Sequence, residues 1–325
     1  MIRKLLFGLA STVLTVSSCL ATSTDVEAYP KQAIRFIVPF SAGGGIDILG
    51  RVMAQELSER WKVPVIVENK AGASGNIGTQ LAVDSVADGY TLLVTVNTLT
   101  MTPHLFSVRF DPRKDLKPVS HVAIGSLALV ANPNFKANNF QDLVRLAKDN
   151  PGELNYSSPG VGTPHHLAME LLKQKANIDI QHIPYTGSAG ALVDLMGGRV
   201  NFGFMPVHQV SQQVKAGQLK VLAAGGVQRT NTTPETPSLQ EATGFEGVDV
   251  DMWYGVYAPA GTPDVIVAKI NQAIGDILAK PAVRAHLSEQ GLMAESSTSE
   301  YLGDVTSKDF LRWGALIKES AISVD

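Results

Sequence analysis

Four short segments combine glycine with hydroxyl-bearing residues, and each lies where an apolar stretch gives way to a helical pattern. They span residues 39–45, 69–76, 157–164 and 185–189. Glycine lets backbone N–H groups approach a ligand closely, and the start of a helix leaves several N–H groups without intrahelical partners. The partial positive charge there favours anions. The segments therefore predict a site for a small anion, although a glycine-rich turn with a Ser or Thr cap is also ordinary architecture.

The same segments lack the spacings that other chemistries require. A dinucleotide fingerprint needs a glycine where Ile48 stands, and no Lys-Ser or Lys-Thr pair follows to complete a phosphate loop. Asn76 occupies the last glycine position of a hydrolase nucleophile elbow. We therefore expect a binding protein with no catalytic residue and no cofactor, rather than an exported hydrolase or lyase.

Three polar residues beside these segments each have two interpretations. Asp47 could orient a ligand through water, or stabilise the first turn of its helix. His165 and His166 resemble a pair of metal ligands, but adjacent helix residues point about 100° apart and cannot easily share one ion. We expect no metal site, and we keep His165 as a candidate hydrogen-bonding residue beside packing or surface roles.

Strand and helix patterns alternate along most of the chain. Apolar runs predict strands at residues 34–39, 63–67, 91–96, 127–130, 154–157, 180–184, 200–204 and 219–223. Helical spacing predicts a helix after the first strand and further helices at residues 77–83 and 311–317. Two more helices are predicted from their starts, one capped by Asn139 and one with Thr262 and Pro263 at its beginning. This alternation indicates mostly parallel sheets flanked by helices, with ligands beyond the carboxyl ends of the strands.

The first 28 residues have the order of a secretory signal peptide. Arg3 and Lys4 precede an apolar stretch at residues 5–16, and small residues then lead to a cleavage site after Ala28. In an alternative interpretation, residues 16–19 form a lipoprotein box in which Cys19, the only cysteine, is lipidated and kept. A buried N-terminal helix or a membrane anchor is the remaining interpretation, and the stretch is short for a membrane span. Both export interpretations place the protein outside the cytoplasm, and we expect it in the periplasm.

The length and charge of the chain limit its partners. A chain of 325 residues normally forms two domains. The formal net charge of −3 gives no basic surface for nucleic acid or anionic membrane. We expect a small-molecule partner and a monomer.

Five stretches of the sequence together resemble one family. They read PFSAGGGIDILGR, VIVENKAGASGNIGTQ, NYSSPGVGTPHHLAMELL, HIPYTGSAGALVDLMGGRVNFGF and WYGVYAPAGTPDVIVAKIN, and they cover the mature chain in the family's order. In these stretches the chain resembles the substrate-binding components of tripartite tricarboxylate transporters, often called the Bug family.

The resemblance implies a type II periplasmic binding protein fold of the α/β class. Two mixed-sheet α/β domains would be joined by two crossover strands, with the ligand cleft between them. By analogy, domain one comprises residues 29–129 and 250–325, and domain two comprises residues 130–249. The crossovers would lie at residues 127–131 and 252–258.

The resemblance also implies which residues hold the ligand. Members of the family that the chain resembles bind a ligand carboxylate through backbone amides, hydroxyls and water. One domain would contribute its first and second glycine-rich segments: Phe40, Ser41, Ala42, Gly43, Gly44, Ala73 and Ser74. The opposing domain would contribute the other two segments: Gly160, Gly162, Thr163, His165, Tyr185, Ser188 and Ala189.

Departures from the family pattern bear on the ligand. Asn201 replaces a usual Asp, and the run Phe204-Met205-Pro206 lacks a common acidic residue, which weakens the expectation of an amino-group ligand. Residues 97–100 also differ in their small polar pattern. We expect an organic acid that is delivered to membrane transporter subunits. In the alternative function, the protein presents its ligand to a membrane sensor kinase.

Overall fold

The computed structural model describes residues 29–226, 229, 235–245, 251–319 and 322. The expected signal peptide and Cys19 lie outside the described residues. Within the described ranges, no helix is long and apolar enough to cross a membrane.

Eleven strands in the described part of the chain form two mixed sheets. In chain order they are β1 Ile34–Val38, β2 Val65–Asn69, β3 Thr91–Val96, β4 Leu116–Gly125, β5 Leu127–Ala131, β6 Asn155–Ser158, β7 Gln181–Pro184, β8 Phe202–Pro206, β9 Lys220–Ala224, β10 Met252–Pro259 and β11 Leu292–Ala294. The first sheet has the order β11-β4-β10-β3-β1-β2, and the second has the order β7-β6-β8-β5-β9. The two sheets form the two-domain α/β fold that the resemblance implies.

Helices connect the strands and cover the sheets. They are α1 Gly45–Trp61, α2 Asn76–Val83, α3 Thr98–Met101, α4 Phe140–Asp149, α5 Pro164–Ala176, α6 Ser188–Met196, α7 Val207–Lys215, α8 Leu239–Thr243, α9 Asp264–Leu278, α10 Pro281–Glu289 and α11 Ser299–Glu319. Apolar residues on one face of α1 and α9, such as Leu49, Met53, Ile270 and Ile274, are fully buried against the first sheet. Amphipathic periodicity thus places each of these helices on its sheet.

Parallel pairing brings the ends of several strands together. β1 pairs in parallel with both β2 and β3, and β6 pairs in parallel with both β7 and β8. The carboxyl ends of β1 and β2, and likewise those of β6 and β7, therefore lie side by side. The four glycine-rich segments follow these four strands, so each sheet carries two of them at one edge.

The chain passes from the first sheet to the second at Ser126. β4 ends at Gly125 in the first sheet and β5 begins at Leu127 in the second, where it pairs antiparallel with β8 and β9. Residues 127–131 therefore form a complete strand of the second sheet, whereas the resemblance places a crossover there. The domain limits at residues 129, 130 and 250 stay predictions.

The structure corrects several predicted element bounds. β2 and β8 each begin and end two residues later than predicted. α9 begins at Asp264 with Pro263 as its N-cap, so the predicted cap at Thr262 is one residue early. The predicted cap of α4 is confirmed, because the Asn139 side chain accepts a hydrogen bond from the Asp142 backbone N–H at 2.8 Å.

Candidate functional site

A cavity lies between the two sheets. Its walls come from the first glycine-rich segment, the ends of β3 and β8, the start of β10 and the segments that precede α5 and α6. The lining residues are Phe40, Ser41, Gly44, Gly45, Ile46, Val96, Thr98, Pro159, Thr163, His165, Gly187, Ser188, Pro206, Met252 and Tyr254.

Hydrogen bonds to Asp47 fix the shape of the first glycine-rich segment. Asp47 Oδ2 accepts hydrogen bonds from the Gly43 backbone N–H and from Arg51 Nε, both at 3.0 Å. Asn69 Nδ2 donates to Asp47 Oδ1 at 2.9 Å and to the Phe40 carbonyl oxygen at 3.0 Å. Gly43 has φ +87°, a conformation that favours glycine. The segment therefore has a defined shape before any ligand arrives.

The environment of Asp47 favours its ionised form. Burial acts to raise the pKa of this carboxyl, but hydrogen bonds from Arg51, Gly43 and Asn69 outweigh burial and hold the pKa below its ordinary value. Because both carboxylate oxygens already have protein partners and the residue is 3% exposed, Asp47 supports the segment rather than the cavity lining.

Two helix starts without a side-chain cap meet at the cavity. Gly44 is the N-cap of α1 and Gly187 is the N-cap of α6, and neither helix has a capping side-chain hydrogen bond. A Cβ placed on Gly44 would lie 3.6 Å from Ser188 Oγ, and one on Gly187 would lie 3.3 Å from Ser41 Cβ. First-turn N–H groups have no intrahelical acceptor, so two positive helix ends lie close together here.

The second glycine-rich segment packs beside the cavity. Gly72, Ala73, Ser74 and Gly75 all have positive φ, with values of +129°, +46°, +53° and +94°. A Cβ on Gly75 would lie 3.3 Å from the Phe40 ring, so the segment supports that ring. Ser74 Oγ would lie 2.8 Å from a Cβ on Gly160, which places the second and third segments in contact.

The third segment is held by its own hydroxyls and by a histidine. Thr163 Oγ1 donates to the Gly160 carbonyl oxygen at 2.7 Å and caps α5. The Gly162 backbone N–H donates to His166 Nδ1 at 3.1 Å. His165 is buried and lines the cavity, whereas His166 contacts the third segment, so the two adjacent histidines have different surroundings.

The fourth segment contacts the first across the cavity. Ser41 Oγ donates to the Thr186 carbonyl oxygen at 2.9 Å, and Gln209 Nε2 approaches the Gly43 carbonyl oxygen at 3.5 Å. These contacts join the two sheets' loops, so the structure shows a closed cleft. Tyr185 is turned toward the following helix, α6, where its hydroxyl donates to Asp194 Oδ2 at 2.8 Å. Burial, and then the carboxylate of Asp194, raise the pKa of Tyr185 to about 12.

The structure brings six of the predicted site residues into the cavity lining, namely Phe40, Ser41, Gly44, Thr163, His165 and Ser188. Eight others lie in the flanking segments and outside that lining: Ala42, Gly43, Ala73, Ser74, Gly160, Gly162, Tyr185 and Ala189. Sequence reasoning missed nine lining residues: Gly45, Ile46, Val96, Thr98, Pro159, Gly187, Pro206, Met252 and Tyr254. Two signals could have indicated some of them, because Thr98 stands in the unusual polar run at 97–100 and Met252 and Tyr254 flank Trp253 at an expected crossover.

The cavity offers dipoles and hydroxyls instead of formal charge. Within the described part of the chain, its lining contains no Lys, Arg, Asp or Glu side chain. Phe40, Ile46, Val96 and Met252 provide an apolar surface beside the hydroxyls. Such a site can hold a small anion at the helix starts and an apolar body against the wall.

Comparison with known proteins gives a consistent result. The family described as "Tripartite tricarboxylate transporter family receptor" matches residues 49–322. The periplasmic binding protein BugD superimposes with a TM-score of 0.86 at 28% identity, covering 91% of this chain and 99% of that one. A protein of R. palustris solved with adipate gives a TM-score of 0.86 at 29% identity, with coverage of 91% and 99%. MatC from Rhodopseudomonas palustris, solved with bound malate, gives 0.84 at 26% identity, with coverage of 89% and 100%.

Proposed function

Because the chain belongs to the tripartite tricarboxylate transporter receptor family, whose members are solute-binding proteins and not enzymes, we propose that it captures a small carboxylate between its two sheets. The bound acid is then delivered to the membrane subunits of a transporter of the tripartite type. Adipate and malate, the acids in the two R. palustris structures, are small carboxylates, which supports this ligand class.

The meeting of two uncapped helix starts carries the proposal. α1 and α6 begin at opposite walls of the cavity, with Gly44 and Ser188 close together. Two positive helix ends that lie close together repel, and an anion placed between them removes that repulsion. A carboxylate also accepts several N–H and O–H hydrogen bonds at once, which matches the donors of the site.

Closure follows from the same arrangement. Ser41 donates to Thr186 only when the two loops meet, so the interdomain hydrogen bond belongs to the closed state. A ligand that contacts both helix starts binds the closed state more tightly than an open one and shifts the population toward it. The protein therefore traps its ligand by closing on it.

A thermal-shift screen of the purified protein tests this function. Co-purified ligand is first removed by unfolding and refolding, and the protein is then mixed with mono-, di-, tri- and aromatic carboxylates. At about a hundred times Kd, a ligand adds roughly 2.7 kcal/mol to the free energy of unfolding, which raises Tm by several degrees. The matching amides, which carry no charge, are expected to leave Tm unchanged.

Two variants locate the site. Ser188→Trp fills the space beside Gly44 and is expected to abolish the ligand-induced shift. Val193→Trp places the same side chain on an exposed position of the same helix and is expected to retain the shift. If Ser188→Trp responded to the acids as the unaltered protein does, the ligand would bind elsewhere.

Export is proposed on the N-terminal pattern. The mature protein is expected to begin at Tyr29 and to lack Cys19. Intact mass spectrometry of the full chain expressed in a Gram-negative host measures this directly. A mass that retains Cys19 with attached acyl chains would replace the free periplasmic form by an anchored one.

A further inference from the structure

A small apolar cluster joins helices of the two domains beside the cleft. It consists of Met101 on α3, Leu167 and Leu171 on α5, and Trp313 and Ile317 on α11, each at most 5% exposed. We call these five residues the apolar seam. α3 and α11 pack against β3 and β4 of the first sheet, whereas α5 packs against β6 and β8 of the second sheet. The seam therefore buries side chains of one domain against those of the other.

The helix α5 has two apolar faces with different partners. Ala168 and Leu172 belong to a large core cluster that also contains Phe204 of β8. Leu167 and Leu171 lie one helical turn apart on a separate face and belong to the seam. The second face is therefore not needed for the core of its own domain.

The two ends of α11 are divided in the same way. Leu302, near the start of the helix, is buried in a cluster with Ile37 and Leu93 of the first sheet. Trp313 and Ile317, one turn apart near its end, are buried in the seam instead. The last turns of α11 thus contact the opposing domain.

The elements that form the seam also form the walls of the cavity. Thr98 lines the cavity, and Met101 follows it within the same short helix, α3. Thr163 lines the cavity from the other domain, and Leu167 follows one turn into α5. Because each wall and its part of the seam are carried by one helix, a motion that separates the walls is expected to separate the seam as well.

The third glycine-rich segment continues this contact toward the cavity. A Cβ on Gly162 would lie 2.8 Å from Leu105 Cδ1 and 3.3 Å from Thr102 Cγ2, so the segment lies directly on the turn after α3. Leu105 is partly buried and packs against the seam. The two domains therefore stay in contact from this segment to the seam.

We propose that the apolar seam favours the closed cleft and so sets ligand affinity from outside the cavity lining. This inference rests on the proposed trapping function and names positioning residues for it. Opening would expose the seam to water, and removing apolar surface from water is favourable, so the seam stabilises the closed state. A ligand that binds the closed state binds more tightly when that state is more populated.

Calorimetric titration of seam variants tests the inference. The probe is the tightest-binding acid of the thermal-shift screen, in a panel that includes malate and adipate. Leu171→Ala, in the second domain, is expected to weaken binding of this acid by about tenfold or more, because a large-to-small change in a packed cluster removes much of its stabilisation. Ile317→Ala, in the first domain, is expected to weaken binding in the same direction.

Leu172→Ala is the matched control. Leu172 is the next residue of the same helix and is fully buried, but it packs in the core of its own domain. Urea unfolding is expected to show that both leucine variants are less stable than the unaltered protein, whereas only Leu171→Ala loses affinity. If Leu171→Ala does not fold, Ile317→Ala near the end of α11 supplies the test.

The outcomes separate this inference from the proposed function. If the folded seam variants bind the acid as tightly as the unaltered protein and lose only stability, the seam is a fixed structural contact and the inference is wrong, while the carboxylate function stands. Equal losses of affinity in Leu171→Ala and Leu172→Ala would also contradict it. If no acid binds the unaltered protein, the proposed function fails and this inference fails with it.

Discussion

Asp47 stands in the first turn of α1 and accepts hydrogen bonds from three neighbouring residues. A first-turn aspartate interacts favourably with the helix dipole wherever it stands. In this protein the carboxylate also accepts bonds from Gly43, Arg51 and Asn69 while it is almost completely buried. Its role is therefore to fix the first glycine-rich segment, which a sequence alone cannot show because Asn69 is 22 residues away.

Replacing Asp47 by asparagine separates the two effects. Asp47→Asn loses charge-assisted hydrogen bonds and is expected to lower the free energy of unfolding by about 1.5–3 kcal/mol. Asp264 is also a first-turn aspartate, but it is exposed, so Asp264→Asn is expected to cost well under about 1 kcal/mol. Urea unfolding measures both. Equal losses in the two variants would mean that the dipole alone explains Asp47.

Ser41 gives a second prediction at this scale. Ser41→Ala removes the hydrogen bond to Thr186 that exists only in the closed cleft. A loss of about 0.5–1.5 kcal/mol from the closed state would weaken ligand binding roughly twofold to twelvefold.

Ser299 supplies the control for that measurement. Its hydroxyl donates to the Val119 carbonyl oxygen at 3.0 Å within the first domain. Ser299→Ala is expected to leave ligand affinity, measured by calorimetry, unchanged. If Ser41→Ala bound the ligand as tightly as the unaltered protein, the contact would not contribute to closure.

At the scale of elements, the sequence predicts the strands that carry the glycine-rich segments and misses others. β3 has the predicted bounds, because an unbroken apolar run marks a strand buried on both faces. β4 escaped prediction because Pro118 and polar residues interrupt its pattern. In the structure Pro118 pairs with Tyr257 beside a register shift, which is where a strand tolerates proline.

Side-chain direction explains why only part of the site was predictable. Tyr185 lies in a predicted segment but bonds to Asp194 on the following helix, whereas Tyr254 reaches the cavity from a strand. Residue type and local spacing place a segment near the cleft, but packing against distant elements decides which side chains line it.

Close packing of α2 on the first glycine-rich segment gives a prediction at this scale. A Cβ on Gly78 would lie 2.8 Å from both the Lys70 carbonyl oxygen and Pro39 Cα. Gly78→Ala is therefore expected to lower the free energy of unfolding by about 1–3 kcal/mol.

Gly275 in α9 is the matched helical glycine. A Cβ there would meet Ser296 Oγ at an ordinary 3.8 Å. Gly275→Ala is expected to raise stability by up to about 1 kcal/mol, because alanine favours a helix. Thermal unfolding of both variants compares them, and a stabilised Gly78→Ala would show that α2 can move away from Pro39.

Buried His166 and half-buried His182 support the third segment and predict a pH dependence. The rings of His166 and His182 lie 4.4 Å apart, and Ser158 Oγ contacts His182 Nε2 at 2.6 Å. Burial, and then the positive charge of Lys173, lower the pKa of His166 to about 4. Burial, and then His166, lower the pKa of His182 to about 3, although Glu170 acts in the opposite direction.

The sign of the effect follows from these pKa values. Below about pH 6.5 the unfolded chain protonates its histidines while the folded protein keeps them neutral, so stability falls as the pH falls. From pH 6.5 to pH 4.5, His166 alone is expected to account for a loss of about 2 kcal/mol. Urea unfolding is expected to show a shallower pH dependence in His166→Gln, whereas exposed His286→Gln keeps the wild-type slope. Identical slopes in all three proteins would contradict the account.

At the scale of the whole molecule, the chain passes from the first sheet to the second at Ser126, and both sheets contribute residues to the cavity lining. Each sheet contributes one uncapped helix start, so neither domain alone would enclose the anion of the proposed function. The net charge of −3 does not attract an anionic ligand over a distance, which leaves local dipoles to bind it. In the proposed function, binding and closure are therefore one event.

The most direct test compares one acid with its own primary amide. Calorimetric titration of the ligand-free protein uses the tightest-binding acid of the screen and the amide, which has the same shape and no charge. The helix starts are expected to favour the acid by about a hundredfold, or roughly 2.7 kcal/mol. Equal affinity for the acid and the amide would contradict the claim that the two helix starts hold a carboxylate.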